Sequence, residues 1–182
     1  MNVNERIAAV RALMAEKGID VYYIPNEDDH LSQEYTAEYF QCKSWISGFT
    51  GESGCVIITK DFAGLWTDGR YFTQAENELK GSCVTLMRMR QEGVPDAIDF
   101  LVDQTPEEGT LGFDGRVVSA AEALGLARRL RFKKAKVVTG SDLAGEVWGR
   151  ERPSMPAAEI YTLAKKWTGE SAEERIGRVR QA

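Results

Sequence analysis

Apolar residues at Ile7, Val10, Leu13 and Met14 recur at helical spacing between Asn4 and Lys17, and Gly18 supplies a stop. Asp20 to Ile24 then reads as a short strand ended by Pro25. From Asn26 to Gln41 the chain is polar and aromatic without a period, which predicts loop and broken helix. Cys55 to Thr59 and Gly64 to Thr67 are strand signals joined by a short turn-forming stretch, the spacing of a hairpin. Tyr71 to Leu79 is helical in pattern and Val84 to Met89 strand-like. Pro95 is expected to open a helix in its first turn, with Ile98, Leu101 and Val102 on one face. Thr110 to Phe113 reads as a strand, and Ser119 as the cap of a helix running to Arg131, with Glu122 completing a capping box. Ala135 to Thr139 is the last strand signal and Asp142 to Trp148 a short helix. Strands alternating with helices, plus one hairpin, predict an α/β fold: a mixed β-sheet with one hairpin, flanked by helices. The pattern leaves the strand order open.

Pro153 and Pro156 break helix and ladder alike, so Glu151 to Ala158 reads as a linker. The domain is therefore expected over residues 1–155, with 156–182 as linker and one further helix. Ser171 and Glu174 have capping-box spacing, and Ile176 and Val179 start an apolar stripe too short to be stable by itself. That stripe repeats the beginning of the chain: Glu5, Arg6, Ile7, Val10 and Arg11 match Glu174, Arg175, Ile176, Val179 and Arg180 in register. The tail is read as the first helix of a second, similar domain, truncated here.

Composition narrows the function classes. Of 182 residues, 43% are hydrophobic and 28% charged, which is folded-protein composition. A net charge of −5 argues against a nucleic-acid partner, and the basic run Arg128 to Lys136 reads as the solvated end of a helix whose dipole favours cations. No apolar segment approaches the roughly 20 residues of a membrane span. Glu5 and Arg6 stand where a signal peptide has its apolar core, so a cytoplasmic location and no membrane partner are expected. Cys42, Cys55 and Cys83 lack CxxC spacing and are odd in number, which predicts free thiols, mostly buried, rather than a disulfide framework.

The single histidine, His30, rules out HExxH chemistry, and no P-loop, GxGxxG or GxSxG pattern is present. The acidic cluster Asn26 to His30 reads as a solvated loop. No catalytic residue, metal ligand or cofactor is therefore assigned within these residues. The glycine-rich stretch Ser47 to Gly54 precedes a strand, so it lacks the helix N-terminus that a phosphate site uses; it reads as a tight connection with positive φ values. In Trp66 to Phe72, Gly69 is expected to permit a sharp turn and Asp68 to cap the helix that follows, with Arg70 in its first turn. The residues alone leave Arg70 two roles: a solvated cation, or a planar fork aimed at a carboxylate or carbonyl of a ligand or another domain.

Several stretches together resemble the N-terminal domain of Xaa-Pro aminopeptidases of the three-domain type, in the creatinase/prolidase superfamily. They are Tyr23-Ile24-Pro25, Asp28 to Ser32 with Glu34-Tyr35, Trp45 to Gly51, Trp66 to Phe72, and Trp148 with Arg152-Pro153. The resemblance covers residues 1 to about 155. Gln33 departs from the family pattern as an extra residue, and Glu52-Ser53 replaces a smaller pair. Membership implies a non-catalytic domain that gates the active site, contacts substrate and supports a homodimer. The partners implied are a peptide with penultimate proline and the protein's own second and catalytic domains. Catalysis is implied in a further domain, absent here, by two divalent metal ions, commonly manganese, held by Asp, His and Glu. By similarity Arg70 contacts bound peptide, His30 lies near the same cleft, and Asp68, Gly69 and Tyr71 support the site. Two other readings stand beside this one: a freestanding domain binding a partner through the Trp66 to Phe72 edge, and the N-terminal domain of a prolidase- or creatinase-type hydrolase.

Overall fold

The computed structural model describes all residues 1–182. In chain order its elements are α1 (Val3–Lys17), β1 (Val21–Ile24), α2 (Cys42–Ser47), β2 (Cys55–Thr59), β3 (Ala63–Thr67), α3 (Phe72–Glu78), β4 (Thr85–Arg88), α4 (Ala97–Gln104), β5 (Thr110–Phe113), α5 (Ala120–Leu130), β6 (Lys136–Val138), α6 (Leu143–Trp148), α7 (Lys165–Thr168) and α8 (Ala172–Gln181). Three short 3-10 turns accompany them, one at Glu38–Phe40 ahead of α2.

The strands form one sheet in the order β4-β3-β2-β1-β5-β6. β2 runs antiparallel to both neighbours, and every other pairing is parallel. Five strands therefore point the same way, and the loops leaving their C-terminal ends share one edge of the sheet. In open α/β sheets that edge is where ligand sites collect. The entry into β2 lies there too.

Both faces of the sheet are covered, and strand periodicity sorts the side chains between them. Tyr22, Ile24, Val56, Ile58, Ala63 and Leu65 pack with Ile7, Val10 and Met14 of α1 and with α2, α3 and α6. Val21, Tyr23, Cys55, Ile57, Trp66, Leu111 and Phe113 pack with α4 and α5 on the other face. Trp66 is fully buried and donates its ring N–H to the Pro95 carbonyl at 3.0 Å. The α/β architecture expected from the periodicity is the one observed.

Local differences have physical causes. α2 falls where no helix is expected, because its six residues are too few to display a period. Pro95 precedes α4 instead of opening it, and Asp96 is the cap, accepting from the Ile98 N–H at 2.9 Å. Ser119 does cap α5, accepting from the Glu122 N–H, but the Glu122 carboxyl is turned to Tyr23. Arg152, read as linker, is folded in: its guanidinium lies 3.7 Å over the Tyr39 ring and pairs with Asp142 at 2.5 Å.

Cys42 and Cys55 are buried, and burial pushes both thiols up to about 12, whereas Cys83 is exposed. Thiolate is the reactive form. A thiol-disulfide reagent at pH 8 is therefore expected to titrate one cysteine per native chain, and all three only after unfolding. Three fast thiols in the native protein would contradict this packing.

Candidate functional site

At the shared sheet edge, a cleft of about 370 Å³ is lined by Ser32, Gln33, Glu34, Glu52, Ser53, Arg70 and Tyr71. Three segments meet in it: the loop after β1, the glycine-rich loop entering β2, and the turn leaving β3. Both departures from the family pattern, Gln33 and Glu52-Ser53, are on its wall.

Arg70 is held by Asp68 in a two-point clamp, with Nε and Nη2 each 2.9 Å from a carboxylate oxygen. The Arg70 N–H also donates to Asp68, at 3.0 Å. The guanidinium beside it, by these hydrogen bonds, holds the Asp68 carboxyl well below the usual carboxylate range. The Ser53 hydroxyl donates a further bond to Asp68 at 2.6 Å. The Arg70 side chain remains 72% exposed, so the clamp fixes its direction and leaves the Nη1 edge open to an acceptor.

This corrects the expected turn chemistry. Asp68 does not cap α3; the residue before the helix is Tyr71, which makes no side-chain cap bond. Arg70 consequently sits in the turn ahead of the helix. Gly69 adopts no left-handed conformation, and an added Cβ would meet only Phe72, at 3.9 Å, so sterics do not require glycine there. Tyr71 lies edge-on to Phe49 (5.9 Å, 87°), with the Arg70 guanidinium 5.3 Å from its ring.

His30 is not among the residues lining the cleft. Its side chain is 83% exposed and its Nδ1 lies 2.9 Å from Asp29. Asp28, Asp29 and His30 do approach one another, with ligand-type atoms within 4.8 Å. Asp28, however, is occupied in accepting the N–H groups of His30 and Ser32 at 2.9 and 3.0 Å. One imidazole and two carboxylates on one loop do not fit a two-metal centre, and no metal chemistry is assigned to them.

The glycine-rich loop is tied down along its length. The Thr50 N–H donates to Glu78 at 2.9 Å, Asn26 donates to the Glu52 carbonyl at 2.6 Å, and the Thr67 hydroxyl donates to the Ser53 carbonyl at 3.2 Å. Gly48 and Gly54 take positive φ values of 78° and 103°, as expected. Sequence reasoning missed Ser53, Glu34 and Glu52 as wall residues. It also missed that Asp114-Gly115-Arg116 repeats Asp68-Gly69-Arg70 at the end of a second parallel strand, with the same clamp (Arg116 Nη2 to Asp114, 2.7 Å). The repeated tripeptide was the available signal.

The six-stranded sheet with one reversed strand and helices on both faces makes this an α/β domain whose shared strand edge carries a clamped arginine. Residues 6–147 match the creatinase/prolidase N-terminal domain model, and the chain belongs to that family. It is 38% identical over its whole length to a probable Xaa-Pro aminopeptidase P of Coprinopsis cinerea, of which it covers 29%. It is 39% identical over 92% of its length to aminopeptidase P2 of Arabidopsis thaliana, covering 24% of that protein. Among solved structures, the X-prolyl aminopeptidase of Caenorhabditis elegans, described as a cytosolic enzyme with a di-nuclear active site, superposes with a TM-score of 0.82 at 29% identity. That match covers all of this chain and 31% of the nematode one. The N-terminal domain of the peptidase PepQ from Mycobacterium tuberculosis matches 79% of the chain, and 98% of its own, at 27% identity with a TM-score of 0.56. The chain thus spans less than a third of the length of these full-size relatives. No helix is long and apolar enough to cross a membrane.

Proposed function

We propose that the chain is the non-catalytic N-terminal domain of a cytoplasmic, homodimeric Xaa-Pro aminopeptidase, which removes the residue before a penultimate proline. In this reading the domain walls the mouth of the active site, and Arg70 meets the bound peptide. Two divalent metals, manganese by resemblance, belong to a catalytic domain outside these residues. The observation that carries the reading is the clamped, open-edged Arg70 in a chain similar over its full length to aminopeptidases P. A guanidinium already fixed in direction loses little freedom on meeting a peptide carbonyl or carboxylate.

A second repeat of the domain is part of the proposal. α1 and α8 open with the same capping box, Asn2 with Glu5 and Ser171 with Glu174, at matching positions of the repeat. Ile7 and Val10 are fully buried in α1, whereas their counterparts Ile176 and Val179 are half or more exposed. An amphipathic helix gains its stability from covering such a stripe. The next sheet of the protein would supply the cover.

In the intact enzyme, Arg70→Ala is expected to lower kcat/KM on an Xaa-Pro peptide by about tenfold to a hundredfold with folding unchanged, and Arg70→Lys to recover only part of it. Unchanged kinetics in Arg70→Ala would remove Arg70 from the site. Metal-dependent Xaa-Pro cleavage by the 182-residue chain alone would overturn its assignment as non-catalytic.

A further inference from the structure

Lys43 is the most anomalous charge in the molecule. It lies on α2 and is only 1% exposed, a rarity for lysine. Its Nζ has one hydrogen-bond acceptor, the Gly51 carbonyl, and sits 4.8 Å from the centre of the Phe49 ring. No carboxylate pairs with it, although the Glu52 and Glu78 carboxyls and the Cys55 thiol, from the loop, α3 and β2, face it at longer range. An ammonium buried this way costs stability, and methionine would fill the same space without that cost. A lysine placed at this cost points to a role other than stability.

The connections from Gly51 supply one. Gly51 is pinned between the Phe49 and Tyr71 rings, where an added Cβ would overlap Phe49 and lie 2.7 Å from Tyr71. The next two residues, Glu52 and Ser53, are walls of the cleft, and Ser53 bonds the carboxylate that clamps Arg70. We propose that Lys43 is the positioning residue of the Arg70 cleft: from the core it holds the Gly51 carbonyl, and the loop carries that constraint through Ser53 and Asp68 to the guanidinium. The proposal rests on the peptidase reading only for its kinetic consequence; the constraint on the loop stands apart from it.

Burial also depresses the Lys43 ammonium from the usual lysine value of 10.5 to about 8, so the charge on the Gly51 carbonyl is weakened within an accessible pH range. The sign follows from linkage. A base whose folded value is lowered destabilises the folded state fully below about pH 8. That penalty fades as pH rises from about 8 to 10.5, the range between its folded and unfolded values.

The test is amide NMR of the 182-residue chain across pH 6.5 to 9.5, on the unmodified protein, Lys43→Met and Lys43→Arg. In the unmodified chain the Gly51, Glu52, Ser53 and Arg70 amides should move with a midpoint near 8. Lys43→Met should abolish that midpoint and shift these amides while the sheet signals superimpose. Lys43→Arg, which does not titrate in this range, should abolish the midpoint yet keep the loop in place. Loop and Arg70 amides that neither titrate nor shift in Lys43→Met would overturn the proposal. In the intact enzyme, Lys43→Met should raise KM by about tenfold with kcat little changed, and Lys43→Arg should restore KM. A loss confined to kcat, or no change, would sink the positioning role. Absence of any Xaa-Pro turnover in the unmodified intact enzyme would instead refute the peptidase reading and leave the loop result intact.

Discussion

Gly54→Ala is expected to cost about 4 kcal/mol of stability or more, a large fraction of the roughly 5–15 kcal/mol that holds an ordinary domain folded. Two causes combine. The residue takes φ of 103°, where an L side chain is strained by about 1–3 kcal/mol. A Cβ at this position would also overlap the Trp66 carbonyl, which belongs to backbone and cannot rotate away. Relief requires moving the entry of β2 off β3, where Cys55 is paired with Trp66. That movement would disturb Trp66, a fully buried side chain at the centre of one face. Urea unfolding is the measurement. Gly69→Ala is the control, expected within about 0.5 kcal/mol of the parent because its Cβ would make only an ordinary contact with Phe72, at 3.9 Å. Comparable losses at the two glycines would show that the conformation of Gly54 does not govern the entry.

The contrast between these glycines shows where sequence reading succeeds and where it stops. Gly48 and Gly54 are legible because a glycine-rich run before a strand needs left-handed backbone somewhere. Gly69 looks equally necessary in Asp-Gly-Arg, yet the turn is made by the Asp68 carboxylate gripping the following backbone and guanidinium. Long periodic elements such as α1 and α5 are read well because burial imposes the period along their length. α2 is not, since fewer than two turns carry no pattern. Lys43 passes unnoticed for a related reason: a lysine reads as surface unless the fold is known, and nothing local marks it as buried. The cleft itself joins residues of three separate segments, so its membership depends on the strand order, which the periodicity leaves open.

The other large effect is expected at Asp142, a residue the sequence marks only as the start of a short helix. Its carboxylate accepts from the Gly145 N–H at 2.8 Å, from Arg116 at 2.7 Å and from Arg152 at 2.5 Å. The Arg152 side chain is 9% exposed, enclosed by the Tyr39 ring and bonded to the Tyr39 carbonyl at 2.8 Å. Asp142→Ala removes a helix cap, worth about 1 kcal/mol, and strands a buried guanidinium, worth about 3–5 kcal/mol. A loss of about 4 kcal/mol or more is expected in urea unfolding, with Asp142→Asn intermediate because the amide oxygen can still cap. Arg152→Met should cost less than Asp142→Ala, since it removes the buried charge together with its need for a partner. If Asp142→Ala and Arg152→Met lose the same amount, the stranded charge is not the dominant cost. Truncation tests where the domain ends: removal of residues 156–182 should leave the unfolding midpoint nearly unchanged, because their apolar side chains are exposed, whereas a cut before Arg152 should reproduce much of the Asp142→Ala loss. A large loss on removing the tail alone would place the boundary beyond the Asp142–Arg152 pair and make α8 part of this core.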